Sequence, residues 1–228
     1  MNQPIVSSDK PITVIGGAQT APDVLTEALN CGKTVVCADG GADFALSQRL
    51  QPAAVIGDMD SIAATTRAAF EDVLHPIPEQ DSTDFDKVLR NIAAPLVIGV
   101  GFSGARIDHE LGSLNVLVRH PHRPCILLAP ETVTLLCPPR ITLDLAPGTP
   151  VSLFPMGEVG CESEGLRWPT TGLRFAPDGR LGTLNKAAGP VRLAPDAPLM
   201  LLILPRAAFG VTQQALMTCS ARWPAPAG

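Results

Sequence analysis

Apolar residues follow two different rhythms along this chain. Up to about residue 139, short and nearly unbroken apolar runs at 12–15, 34–38, 53–56, 96–100 and 125–129 alternate with stretches of helical period at 22–29, 42–49, 62–70, 84–92 and 108–119. Runs of that length without polar alternation predict strands buried on both faces. Alternation of such strands with helices predicts right-handed crossovers and a mostly parallel sheet, with ligands at the carboxyl ends of its strands. Beyond residue 139 the pattern turns to short β segments at 141–145, 151–154, 165–168, 181–184, 191–193 and 199–204, punctuated by Pro and Gly. That spacing predicts an antiparallel sandwich or barrel. A small-residue tail after Arg206 is expected to be partly loose.

Composition narrows the classes. The 228 residues suit one large domain or two small ones, and 17% charged against 46% hydrophobic residues excludes charge-driven disorder. A net charge of −5 without a basic block argues against a nucleic-acid partner. No apolar window approaches the ~20 residues of a membrane span, and the N-terminus lacks the apolar stretch of an export signal. The six cysteines (31, 37, 125, 137, 161 and 219) form no C-x-x-C pair, so the expectation is a cytoplasmic protein with reduced, mostly buried thiols and no zinc site.

Acidic residues change the picture. Ala38-Asp39-Gly40-Gly41-Ala42 and Gly57-Asp58-Met59-Asp60-Ser61 each end a predicted strand. Gln80-Asp81-Ser82-Thr83-Asp84-Phe85-Asp86-Lys87 opens a helix, and Gly101-Phe102-Ser103-Gly104-Ala105-Arg106-Ile107-Asp108-His109 follows another strand. All four project from one edge of the sheet. A pair of carboxylates ~4 Å apart costs about 4 kcal/mol at an effective dielectric of about 20, so a compensating cation is expected. Magnesium, which takes oxygen ligands from one or two carboxylates plus phosphates, suits Asp58-x-Asp60. Each aspartate alone also reads as a helix cap or first-turn charge.

Glycines point to phosphate. Gly40-Gly41 and the 99–104 loop let backbone N–H groups approach an anion, with Arg106 as a fork-shaped cation beside them. The same loop satisfies G-x-G-x-x-G literally, but after a later strand than the first, where a dinucleotide motif belongs. In the second half, Trp168 stands between a strand and a proline. It reads either as core filler or as a flat face for an aromatic or cationic ligand.

Taken together, these motifs resemble the thiamine pyrophosphokinase family, through residues 38–42, 57–61, 81–87 and 101–109, the last extended to Asn115. Val151–Pro155 in the second half, Glu164 to Trp168 and Gly182 to Asn185 extend the resemblance over about residues 12 to 204. The chain departs from the family pattern at Met59, Leu184 and Lys186. The resemblance implies an α/β fold: a Rossmann-like, mostly parallel catalytic domain over 1–139, a sandwich-like thiamine-binding β domain over 140–206, and a tail over 207–228. It implies transfer of a pyrophosphoryl group from ATP to thiamine by a homodimer with the substrate at the subunit interface. By motif position, Asp58, Asp60 and Asp84 would hold Mg²⁺ and the triphosphate. Asp39, Asp81 and Asp108 would complete the acidic site. Gly40, Gly41, Gly101, Gly104, Arg106, His109 and Asn115 would lie on the ATP side, and Gln80, Trp168, Thr183 and Asn185 on the thiamine side. The expected chemistry is in-line attack by a substrate hydroxyl, aligned by Asp84 or Asp81, on the β-phosphorus. A pyrophosphokinase or kinase for another heterocyclic alcohol, such as a pterin, and a nucleotide-binding module without catalysis are the two rival readings.

Overall fold

A computed structural model describes residues 3–104 and 106–226. Ala105 of the Gly-Ala-Arg motif, residues 1 and 2 of the first predicted domain and residues 227 and 228 of the tail lie outside the described residues. The fold is mixed α/β and divides into two compact units, Met1–Val116 and Leu117–Gly228.

In the first unit, after a short β1 (Val6–Ser7), the chain runs β2 (Ile12–Ile15), α1 (Pro22–Cys31), β3 (Thr34–Ala38), α2 (Gly41–Ser47), β4 (Ala54–Gly57), α3 (Ala64–Ala69) and β5 (Leu74–Pro76). It continues through α4 (Asp84–Asn91), β6 (Ile92–Ala93) and β7 (Val97–Val100) into α5 (Ile107–Arg119), which crosses the unit boundary. Strands β7, β2, β3, β4 and β5 lie side by side in that order, every pair parallel, with Ile12 opposite both Thr34 and Val97. Every residue of β2, β4 and β7 is buried, because helices cover the strands. Even Thr13 is satisfied inside: its hydroxyl donates to the Gly32 and Ala28 carbonyls at the end of α1, at 2.6 and 3.3 Å. From β2 the chain steps outward to β5, then returns through α4 to β7 on the far side of β2. The order therefore reverses between β2 and β7, which is where open parallel sheets form a ligand crevice. The edge strand β5, with His75 and Pro76, and the β1–β6 pair carry no apolar run and escape a search for one.

The second unit is antiparallel. It holds β8 (Cys125–Leu128), β9 (Thr132–Leu136), β10 (Ile141–Leu143), β11 (Pro150–Pro155), β12 (Val159–Leu166), β13 (Arg174–Phe175), β14 (Gly182–Pro195) and β15 (Met200–Pro205). The 125–129 run forms β8, which pairs antiparallel with β9. Three connecting residues permit only a hairpin. Of the strand predicted at 165–168, only Gly165 and Leu166 are in a strand, as the end of the longer β12, whose exposed Glu162 and Glu164 break any apolar run. The segments predicted at 181–184 and 191–193 belong to one strand, β14, which pairs with β11 through its first half and with β12 and β10 through its second.

The tail is not loose throughout. It forms α6 (Phe209–Thr218), which buries Phe209, Thr212 and Leu216 on one face, and the Trp223 indole N–H donates to the Cys137 carbonyl at 2.9 Å. Its spacing of 3, 4 and 7 is helical, but Gly210, two glutamines and two threonines hide it in a composition count. All six cysteines are free thiols, and no helix among the described residues is long and apolar enough to cross a membrane.

Candidate active site

The loops that follow β2, β3, β4 and β7, together with the start of α4, line a cleft of about 810 Å³ within the first unit. Two glycines let these loops close up. A Cβ on Gly41 would stand 2.2 Å from the Ile15 carbonyl oxygen, so a side chain there would push α2 off β2. Gly101 takes φ +76, and a Cβ on it would meet the Gly16 carbonyl at 2.7 Å. Across the cleft, the rings of Phe85 and Phe102 lie 4.2 Å apart and join the first turn of α4 to the loop after β7.

The aspartates converge, each by a different local device. Asp39 ends β3 in a left-handed conformation (φ 38), one that Asp tolerates better than most residues, and is only 3% exposed. Its Oδ2 accepts from the Ser61 N–H at 3.2 Å, while Oδ1 is buried with no hydrogen-bond partner. Burial pushes the Asp39 carboxyl up, and repulsion from Asp84 and Asp58 adds to this against hydrogen bonding from Ser61. Asp58, at the end of β4, accepts from the Asp60 N–H at 3.4 Å on Oδ1, and on Oδ2 from Gln80 Nε2 at 3.1 Å and Lys87 Nζ at 3.2 Å. Burial alone would raise the Asp58 pKa, but its hydrogen bonds, led by that of Lys87, outweigh burial and hold it below the usual range. Asp60 is exposed, and its Oδ1 accepts from Ser61 Oγ at 2.8 Å. Asp84 opens α4, and its Oδ1 accepts from Lys87 Nζ at 3.1 Å.

One oxygen each from Asp39, Asp58 and Asp60 lie within 4.8 Å of one another. Donors that are all carboxylate oxygens, from residues that include Asp39 with its buried and unpartnered Oδ1, fit a hard divalent cation. Asp84 stands beside this trio with one oxygen engaged by Lys87. The missed participant is Lys87, whose side chain is 1% exposed between Asp58 and Asp84. A lysine in a helix normally marks the solvent face; its spacing of three from Asp84 was the available signal.

Other predicted residues divide clearly. Asp39, Gly40, Asp58, Asp60, Gln80, Asp84, Gly101, Arg106, Asp108 and His109 line the cleft; Gly41, Asp81, Gly104 and Asn115 do not. Gly41 is buried at the start of α2, whereas Asp81 and Asn115 are exposed. The Gly104 N–H is given to Glu110 Oε2 at 3.2 Å. The Arg106 guanidinium is engaged by Asp108, with Nε donating to Oδ1 at 3.1 Å and Nη2 to Oδ2. Those hydrogen bonds pull the Asp108 pKa down to about 2.

In the second unit, Trp168 is 51% exposed and so is not core filler. The Arg167 guanidinium already lies over its ring, 4.9 Å from the centroid. Asn185 pins the backbone there: its Oδ1 accepts from the Trp168 N–H at 3.2 Å and its Nδ2 donates to the Trp168 carbonyl at 2.7 Å. Thr183 is exposed nearby in β14, followed by Leu184 with φ +66.

Known proteins resemble this chain in sequence and in fold. The family model described as thiamin pyrophosphokinase, catalytic domain, matches residues 25–128, which include the first three aspartate motifs and the glycine–arginine motif. Thiamine pyrophosphokinase 2 of Arabidopsis thaliana is 27% identical over 188 residues, covering 67% of this chain and 70% of its own. Thiamine pyrophosphokinase 2 of Oryza sativa subsp. japonica is 24% identical over 239 residues, covering 89% and 90%. In fold, the chain resembles thiamin pyrophosphokinase from Candida albicans, with a TM-score of 0.71 at 14% identity over 90% of this chain and 95% of that one. It likewise resembles thiamin pyrophosphokinase from Geobacillus thermodenitrificans, with a TM-score of 0.69 at 22% identity over 86% and 96%. Motif order and these likenesses agree: the chain is similar to the thiamine pyrophosphokinase family, with the catalytic-domain model matched over residues 25–128.

Proposed function

We propose that this protein transfers the pyrophosphoryl group of ATP to the hydroxyethyl oxygen of thiamine, giving thiamine diphosphate and AMP. The observation that carries the reading is the meeting of Asp39, Asp58 and Asp60 oxygens, with Asp39 Oδ1 buried without a donor, at the carboxyl ends of β3 and β4 in a parallel sheet. A nucleotide-binding module without catalysis leaves that cluster without a purpose.

In the reaction, the thiamine hydroxyl oxygen forms a bond to the β-phosphorus. The bond from that phosphorus to the α,β-bridging oxygen breaks, AMP leaves with the electron pair, and the hydroxyl proton passes to a carboxylate or to water. Asp58 and Asp60, with Asp39 and Asp84 beside them, would hold the Mg²⁺, which would supply charge neutralisation for the polyphosphate and the leaving group. Of the two aspartates considered for aligning the hydroxyl, Asp84 lines the cleft and Asp81 does not, which favours Asp84. Gly101 keeps the wall close to the nucleotide and Gly40 lines the cleft beside it, with Arg106, Asp108 and His109 at its phosphates. Gln80, tethered to Asp58, faces the pyrimidine of thiamine.

On this reading the parallel part within residues 1–139 is a Rossmann-like catalytic domain and the strands of 140–206 are a sandwich-like domain. The latter presents Trp168 to the thiamine ring, with Thr183 and Asn185 about it. The active form is a homodimer with thiamine at the subunit interface, in the cytoplasm, where free thiols persist.

The test is incubation of the purified protein with ATP, Mg²⁺ and thiamine, followed by product analysis. Equal amounts of AMP and thiamine diphosphate are expected, and neither when the cation is chelated. Thiamine monophosphate with ADP, or preferential turnover of a pterin alcohol, would overturn the assignment.

A further inference from the structure

Lys87 lies on the buried face of α4, at a position lysine almost never takes unless it is paired. Its ammonium bridges two elements, 3.2 Å from Asp58 Oδ2 after β4 and 3.1 Å from Asp84 Oδ1 at the start of α4. It therefore engages one oxygen of each carboxylate, at a cleft that Asp39, Asp58, Asp60 and Asp84 all line and where Asp39 Oδ1 is buried without a partner. A positive charge fixed at the rim of a cation site has two opposed effects. It holds carboxylates together that would otherwise repel, and it weakens the pull of the site on any further cation.

We propose that Lys87 is a positioning residue that acts as the standing counter-ion between Asp58 and Asp84, so that the divalent cation is taken up together with the polyphosphate rather than held as a resident ion. The inference rests on the function proposed above. The carboxylate oxygens left over are too few and too weakly attractive to retain an ion alone. Phosphate oxygens complete its coordination and outweigh the repulsion of the ammonium. Lys87 touches neither substrate nor cation in this role; it fixes the geometry and the electrostatic threshold of the residues that do.

The test is Mn²⁺ binding to the full chain, followed by electron paramagnetic resonance, with and without the α,β-methylene analogue of ATP. For the unaltered protein the analogue is expected to tighten Mn²⁺ binding by about tenfold or more. Equal binding with and without it would mean a resident ion and would overturn the proposal, with no variant required. Lys87→Gln is expected to bind Mn²⁺ alone about tenfold tighter than the unaltered protein, while Lys87→Arg, which keeps the charge, stays close to it. Unchanged or weaker binding by Lys87→Gln would reduce Lys87 to a packing role. Outcomes for the two readings separate. A protein that makes AMP and thiamine diphosphate but binds Mn²⁺ equally well alone loses this inference only. One that takes up Mn²⁺ with the analogue but never transfers to thiamine loses the assigned reaction.

Discussion

Asp39 gathers three unfavourable features at one residue: left-handed backbone, near-complete burial and a carboxylate oxygen with no donor. Such combinations persist where function requires them. Asn keeps the shape and the tolerance for φ 38 while removing the charge. Asp39→Asn is therefore expected to stabilise the cation-free protein at neutral pH by about 1 kcal/mol and to cut turnover by about 100-fold or more. The sign with pH follows from the raised carboxyl of Asp39. Wild-type folding bears the cost of burying the ionised group as pH rises from the ordinary carboxylate range through its folded value. The advantage of Asn should consequently vanish below about pH 4, where Asp39 is protonated folded or unfolded. Asp58 runs the other way: its lowered pKa adds stability at neutral pH that is lost on acidification through the folded value. Thermal melts in chelator across this range check both, and a constant difference between Asp39→Asn and wild type would refute the assignment. At this scale the aspartate motifs were plain in the sequence because their spacing is local. The closeness of Asp39 to Asp58 and Asp60, and the inward turn of Lys87, arise from strands brought together by folding.

Helix α4 is the element on which the cleft depends. Thr83 caps it by accepting from the Asp86 N–H at 3.3 Å, Asp84 occupies its positive end, and the helix packs on β3 and β4, the strands that carry Asp39 and Asp58. Removing the cap with Thr83→Ala should cost about 1 kcal/mol, lowering Tm by about 2–4 °C. Because the frayed turn is the one that starts with Asp84, kcat should fall further than that small loss of stability would suggest. Steady-state kinetics well below Tm decide the point; an unchanged kcat would show that the first turn does not set the geometry. The strands β2, β3, β4 and β7 could be read from sequence because each is a short run that must be apolar on both faces. Strands β5, β12 and β13 could not, since edges and half-exposed strands admit Pro, Glu and Arg where tertiary pairing rather than pattern defines them.

At the scale of the whole molecule, the change of rhythm near residue 140 correctly announces antiparallel structure, but β8 and β9 already follow it earlier in the chain. The final segment has a larger part in the second unit than its composition suggests. Phe209 and Leu216 are buried, and α6 packs on β10. Deleting residues 207–228 should therefore cost about 3 kcal/mol or more, read as a lower urea midpoint for the second unit. A midpoint equal to that of the intact chain would mean the helix contributes nothing to the fold.

The solitary oxygen of Asp39 has a consequence beyond turnover. On the function proposed above, a cation bound beside Asp39 would satisfy this buried acceptor, and whatever binds the native state alone also shifts the balance against unfolding. Cellular lifetime of this chain should then track the supply of magnesium nucleotide, with starved copies the first to reach the proteases.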